Sequence, residues 1–305
     1  MAERVSMIRV RGGFSETHGM SSCVTQLQYK DFDDKTRNTL YNRVYQILSI
    51  SFGNQKDFRE NPYDYTNYEE LFFQDLSINV FCERISANNF IPRSLKFEED
   101  KIYKVFSEAP YNEVLDFIQY TIQWISYRNK KNKDKNFFFG FMNQIFEQEY
   151  VGYRFVNGEI APITDKNEID SIENACNNEF EGTRTHIKKA VGFIADREHK
   201  DYQNCIKESI SAVESICSII AGQKKSSLDD ALKNLQKKGV KIHPQLELAF
   251  SKLYAYTNSE KGVRHANGMF ESNVTFEEAK FMLVSCSAFV NYLTANYGKV
   301  GGKHA

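Results

Sequence analysis

Arg264 and His265 stand side by side in the run TNSEKGVRHANG, Thr257 to Gly268, between two glycines and directly after a helix-forming segment. A histidine near neutrality gives or takes a proton, and an arginine presents a fixed fork of donors to two phosphate oxygens. Such a pair suits cleavage of a nucleic-acid backbone. The same residues also suit a basic corner, with Arg264 paired to Glu260 or a bundle carboxylate and His265 capping a helix. Lys261, four residues before His265, has the spacing of one helical turn but offers a point charge in place of the fork. In DYQNCIKESISAVESICSIIAG, residues Asn204, Glu208, Ser211 and Ser215 recur as a polar stripe. Glu208 or Glu214 could face the Arg264–His265 corner, where a carboxylate would raise the histidine pKa and orient its ring. A stripe of this kind also fits a solvated helix face. The other histidines read more simply: His18 in GFSETHG as a local turn, His186 and His199 as surface residues flanking a helix, and His243 as the residue before Pro244.

The bulk of the chain limits what these groups could act on. At 305 residues with 41% hydrophobic residues and five prolines, it is long enough for two folded domains. A net charge of −1 and a pI near 6.6 give no overall attraction to nucleic acid, so an RNA contact needs a local patch. RNKKNKDK, Arg128 to Lys135, is one such patch or a solvated loop between helices. Cys23, Cys82, Cys176, Cys205, Cys217 and Cys286 are scattered without a C-x-x-C pair. They read mostly as buried thiols in a reducing cytoplasm. Neither a metal-ligand spacing nor a cofactor motif is visible. The longest apolar stretches, such as FFFGFM, are too short to span a bilayer, and MAERVSMIRVRGG has no signal-peptide core. The expectation is a cytoplasmic protein with no membrane contact.

The elements that must position the chemistry are mainly helical. After a short strand-like start, Asp33 or Asp34 caps a helix with Leu40, Tyr41, Val44, Ile47 and Leu48 at helical spacing. Leu71, Phe72, Leu76 and Val80 mark a second helix, and Val114, Phe117, Ile118, Thr121, Ile122 and Ile125 a third. Aromatics such as Trp124 and Phe137–Phe139 read as core. Two β-like runs around Asn157-Gly158 form a hairpin with a type I′ turn. Beyond it Gly222 and Gly239 stop helices, Ser227 with Asp230 and Thr275 with Glu278 have capping-box spacing, and Pro244 suits a first turn. The layout is an N-terminal helical domain over 1–150, a hairpin connector over 151–165, and an antiparallel bundle of four or five helices over 166–305.

The C-terminal runs DYQNCIKESISAVESICSIIAG, SSLDDALKNL, HPQLELAFSKLYAYTNSEKGVRHA and EEAKFMLVSCSAFVNYL resemble the HEPN-like domain of AbiJ-type abortive-infection proteins. GYRFVNGEIAPIT and GTRTHIKKAV fit the same pattern, and GFSETHG with LYNRVYQIL resembles one class of N-terminal domain fused to it. The resemblance implies a helical bundle that often dimerises and, in active members, a metal-independent ribonuclease. Without a metal, the 2′-hydroxyl must lose a proton, the leaving 5′-oxygen must gain one, and the phosphorane charge must be neutralised. The G-V-R-H-A block fits this subfamily's look, so the resemblance places this work on Arg264 and His265, while Lys261, Glu208 and Glu214 are set around them by spacing and by the polar stripe. Active HEPN nucleases separate arginine and histidine by four to six residues, whereas here the two are adjacent. Two functions stand: an antiphage effector that cleaves or binds RNA after a partner or phage-derived trigger is sensed, or a non-catalytic dimerising module that binds nucleotide or RNA or regulates another effector.

Overall fold

The computed structural model describes residues 11, 13, 27–53, 67–83, 94–128, 136–196, 201–222, 231–232, 234–235, 238–258 and 274–299. The chain divides into two compact units, Met1–Ile160 and Ala161–Ala305.

The first unit contains α1 (Asp34–Gly53), α2 (Tyr68–Asn79), α3 (Leu95–Glu108), α4 (Tyr111–Arg128), α5 (Phe137–Gln148) and β1 (Arg154–Val156), which pairs with β2 (Glu159–Ala161). Asp33 caps α1 by accepting from the Thr36 backbone N–H at 2.8 Å, and Asn67 caps α2 by accepting from that of Glu70. The apolar stripes expected on α1 and α4 are buried, including Leu40, Val44 and Leu48 on one and Val114, Phe117, Ile118, Thr121, Ile122 and Ile125 on the other. Phe72 meets Trp124 edge-on at 5.1 Å between centroids. The Trp124 indole N–H donates to Asp75 at 2.9 Å, so the ring is buried without an unsatisfied donor. Of the Phe137–Phe139 run only Phe139 is fully buried, while Phe137 is exposed. Helices α3 and α5 go beyond the expectation. Three adjacent phenylalanines carry no 3.6-residue rhythm, and α3 buries little more than Leu95, Ile102 and Phe106.

The hairpin turns at Asn157 and Gly158, whose φ values of 50° and 87° are those a type I′ turn requires. Side-chain amides grip its strands. Asn143 of α5 accepts from the Phe155 N–H at 2.7 Å and donates to the Phe155 carbonyl at 2.9 Å. Gln119 of α4 accepts from the Ile160 N–H at 2.7 Å and donates to Glu159 at 2.9 Å.

A polar node closes the unit. Glu149, just after α5, is buried and pairs with Arg11 and, at 3.0 Å, with Lys35. Arg11 also pairs with Asp33 and donates to the Thr36 hydroxyl at 2.7 Å. Gln28 forms a parallel bridge with Val151, and its side-chain amide donates to the Glu149 carbonyl while accepting from the Asp33 N–H, both at 2.8 Å.

The second unit contains α6 (Lys166–Cys176), α7 (Glu181–Ala195), α8 (Tyr202–Ala221), α9 (Pro244–Asn258) and α10 (Phe276–Lys299). Its directions follow from residue pairs. Thr183 meets Ser215 and His186 meets Glu208, so α7 and α8 run antiparallel. Tyr202 meets Phe276 and Cys205 meets Ala279, so α8 and α10 run parallel. Phe250 stacks on Phe289 at 3.5 Å and Tyr256 reaches Glu278, which sets α9 antiparallel to α10. The result is an up-down-up-down-up bundle around α8, of which Cys205, Ile206, Ile210, Val213, Ile216, Cys217 and Ile220 are buried. Helix α8 ends in a left-handed cap at Gly222, and α9 starts at Pro244. The capping box of α10 is formed: Thr275 N–H donates to Glu278 at 2.9 Å, and Glu278 N–H donates to the Thr275 hydroxyl at 3.2 Å. The Ser227–Asp230 box lies outside the described residues. The protein is thus mainly α, with an N-terminal helical unit, a short β-hairpin and a C-terminal helical bundle. Among the described residues no helix is long and apolar enough to cross a membrane.

Burial pushes the Asp33 carboxyl up, but the hydrogen bond and charge of Arg11 and the Thr36 N–H outweigh it and leave the value lowered. A folded value below the unfolded one stabilises the fold above about pH 4, and that contribution is lost as the pH falls through the folded value. Asp33→Asn, which still caps α1, should flatten the acid limb of stability measured by urea unfolding. Arg11→Ala leaves Glu149 under-compensated and should cost about 3 kcal/mol in the same assay.

Candidate functional site

Lys261, Arg264 and His265 lie in the segment 259–273, outside the described residues, as do His18 and His199. Glu208 and Glu214 lie on α8 and are partly buried. The polar stripe of α8 turns toward α7 at its lower and upper ends. Ser215 Oγ stands 3.4 Å from Thr183 Oγ1, and Glu208 Oε2 stands 2.7 Å from His186 Nδ1. Asn204, at the start of the stripe, is held by the cap residue Asp201 at 2.6 Å. Of this stripe Glu208 and Ser215 meet α7, Asn204 is held by its own cap, and Ser211 lines the cleft.

His186 is not a flanking residue. It sits in the second turn of α7, where its side chain retains 33% exposure while Glu208 retains 18%. A carboxylate oxygen accepts, so the imidazole Nδ1–H donates to Glu208. Among the described residues Nε2 has no partner. Arg184, two residues earlier, reaches back toward the carbonyls of Asn178 and Glu179 at 3.5 and 3.4 Å and takes no part in the pair.

His186 lines an open cleft of about 680 Å³ with Ser211, Glu214, Ser215 and Ser218. The approach of α7 to α8 at this end depends on Gly182, because a Cβ there would lie 2.8 Å from Ser215 Oγ. The cleft therefore holds an imidazole backed by a carboxylate, three hydroxyls and a second carboxylate, beside the apolar side chain of Ile219 and the backbone of Gly222. Such groups exchange protons with, and hydrogen-bond to, hydroxyl-bearing ligands. The sequence signal was weak, since His186 and Glu208 are separated by 22 positions and meet only because α7 folds back on α8.

The first unit has its own cleft of about 450 Å³, lined by Asn79, Phe81, Glu113, Asp116 and Tyr120. Two further residues at its edge, Gln119 and Gln123, are committed to the hairpin. Among the described residues no group of three His, Cys, Asp or Glu side chains could hold a metal ion.

The chain is a mainly helical protein of two compact units, the first of which holds most of the amide-gripped hairpin. A family model described as AbiJ N-terminal domain 4 matches residues 12–178, and the chain belongs to that family. The match covers more than half of the 305 residues and runs through α6. Membership makes this an abortive-infection, defence-related protein. No curated protein and no solved structure matches the chain.

Cys176, Cys205, Cys217 and Cys286 are buried, whereas Cys82 is exposed. Burial pushes the Cys176, Cys205 and Cys217 thiols up to about 12 and raises Cys286 further. Thiolate is the reactive form. Native protein treated with iodoacetamide at pH 8 should therefore alkylate at Cys82 and leave these four unmodified until denaturant is added, as read by peptide mass spectrometry.

Proposed function

We propose that the chain is an antiphage abortive-infection effector whose C-terminal bundle, over 166–305 and HEPN-like, acts on RNA without a divalent metal. In this reading it is a ribonuclease or RNA-binding toxin of the cytoplasm. The N-terminal domain, 1–150, senses a protein partner or phage-derived trigger, and the hairpin over 151–165 connects the two. Arg264 neutralises phosphate charge, His265 moves a proton, Lys261 adds positive field, and Glu208 and Glu214 supply carboxylates from α8. The observation that supports this reading is the imidazole–carboxylate pair of His186 and Glu208 at 2.7 Å beside an open cleft that Ser211, Ser215, Ser218 and Ile219 help to line.

A second reading is a non-catalytic dimerising module. It draws on two exposed apolar side chains, Leu248 of α9 and Phe281 of α10, at 50% and 57% exposure. A homodimer is expected under both readings, and light scattering that returns only a 35.4 kDa species at micromolar concentration removes it.

Arg264→Lys keeps the charge and loses the fork, and should lower RNA cleavage by about 1–3 kcal/mol of transition-state binding. His265→Ala should lower it roughly 10²–10⁴-fold. Both variants should keep the wild-type melting temperature, and EDTA should leave cleavage by the wild type unchanged. Full toxicity and cleavage in both variants assigns TNSEKGVRHANG to a structural corner, and EDTA-abolished cleavage restored by magnesium replaces the metal-free chemistry.

A further inference from the structure

We infer that Arg154, at the start of β1, is the binding residue for a ligand carboxylate, held bidentately on the Nε–Nη2 edge of its guanidinium. The site belongs to the first unit and owes nothing to RNA chemistry in the bundle. Arg154 keeps only 7% of its surface exposed. Its Nη1 donates to the Val151 and Tyr153 carbonyls, both at 2.7 Å. Those two bonds use both hydrogens of Nη1 and anchor the head group on the chain that leads into β1. Nε and Nη2 have no protein partner among the described residues. Nor are they enclosed: among the described residues the sealed side-chain atoms without partners are the hydroxyls of Ser51, Thr121, Ser126 and Ser287. The Nε–H and one Nη2–H lie parallel on one edge, which matches the two oxygens of a carboxylate.

The other shielded arginines of the unit show what Arg154 lacks. Arg11, at 5% side-chain exposure, pairs with Asp33 and Glu149, and Arg37, at 13%, pairs with Asp31. Among the described residues no carboxylate forms an ion pair with Arg154. Glu147, on α5, acts on it through charge at longer range. Burial pushes the Arg154 pKa down, yet an arginine stays protonated near neutrality. A cation withdrawn from water without a counter-ion gains more from an arriving anion than an exposed one does. The kind of anion follows from the charge count. A nucleic-acid backbone presents a row of phosphates and calls for several exposed cations in line. One recessed guanidinium with Glu147 nearby answers a single negative charge, and a carboxylate supplies it with the coplanar oxygens the fork needs. Its source is an acidic side chain of a protein or a small organic acid.

The experiment titrates full-length protein carrying nitrogen-15 arginine with acetate, inorganic phosphate and the blocked tripeptide acetyl-Ala-Glu-Ala-amide, chloride balancing the ionic strength. The Arg154 Nε–H signal, assigned through its proximity to Val151 and Tyr153, should shift saturably with acetate, at a lower midpoint than with phosphate. Glu147→Gln removes a competing negative charge and should lower the acetate midpoint several-fold. Acetate should also raise the melting temperature above the chloride control. Arg154→Lys keeps the charge and loses the fork, and should weaken acetate binding roughly tenfold. A tripeptide that shifts the signal as acetate does assigns the carboxylate to a protein, and acetate alone assigns it to a small acid; both keep the site. No saturable shift with either carboxylate makes Arg154 a backbone staple and overturns the site. A phosphate midpoint at or below that of acetate overturns the carboxylate, and undiminished affinity in Arg154→Lys overturns the fork. The signal is read in the wild type, so the test decides even where Arg154→Lys fails to fold.

Discussion

Charge withdrawn from water must be answered nearby, and that requirement organises both units. In the first, the Glu149 carboxylate is buried at the end of α5. Its compensation comes from Arg11 and from Lys35 in the first turn of α1. The partners of Glu149 come from positions 11 and 35, so residues far apart in the chain have to meet before the cost of desolvation is offset. Gln28 converts that meeting into backbone geometry by bridging to Val151. In the second unit the same requirement appears in milder form. Glu208 is mostly covered by α7, and the imidazole of His186 meets it.

The two cases differ in what they leave over. Around Glu149, Arg11 and Lys35 donate to its carboxylate, and the Thr36 hydroxyl accepts from both Arg11 and Gln28. That node is closed and serves stability. At Glu208 the imidazole bonds through one nitrogen and keeps its other edge beside the side chains that line an open cleft. A closed node holds a fold together, and an open one is where a ligand can enter the same hydrogen-bond pattern.

Much of the architecture was legible because it rests on local rules. The stripe on α4 repeats at 3.6 residues and is buried at each of the positions it marks. Asn157-Gly158 makes its turn because both residues tolerate positive φ, and Thr275 and Glu278 bond to each other as a capping box does. What escaped was set by partners distant in sequence. Helix α5 begins with adjacent phenylalanines that show no rhythm, and α6 carries a short apolar set, Ile169, Ile172, Ala175 and Cys176, that acquires meaning only against α10. The polar stripe of α8 was visible, yet its reading as solvated or functional turned on which helix lay over it. His186 looked like a surface residue for the same reason. Arg264, His265 and Lys261 lie outside the described residues, so their part in the site rests on the sequence and the resemblance.

The hairpin has three-residue strands, too short to persist alone in water. Asn143 and Gln119 stand in for the absent neighbouring strands: Asn143 offers one donor and one acceptor to the Phe155 backbone, while Gln119 accepts from the Ile160 N–H and donates to the Glu159 carboxylate. The protection of the Phe155 and Ile160 amides against hydrogen exchange is therefore borrowed from helix docking rather than earned in a sheet. Those two amides are local gauges: Phe155 exchanges when α5 lifts away and Ile160 when α4 does, even while each helix keeps its own internal bonds.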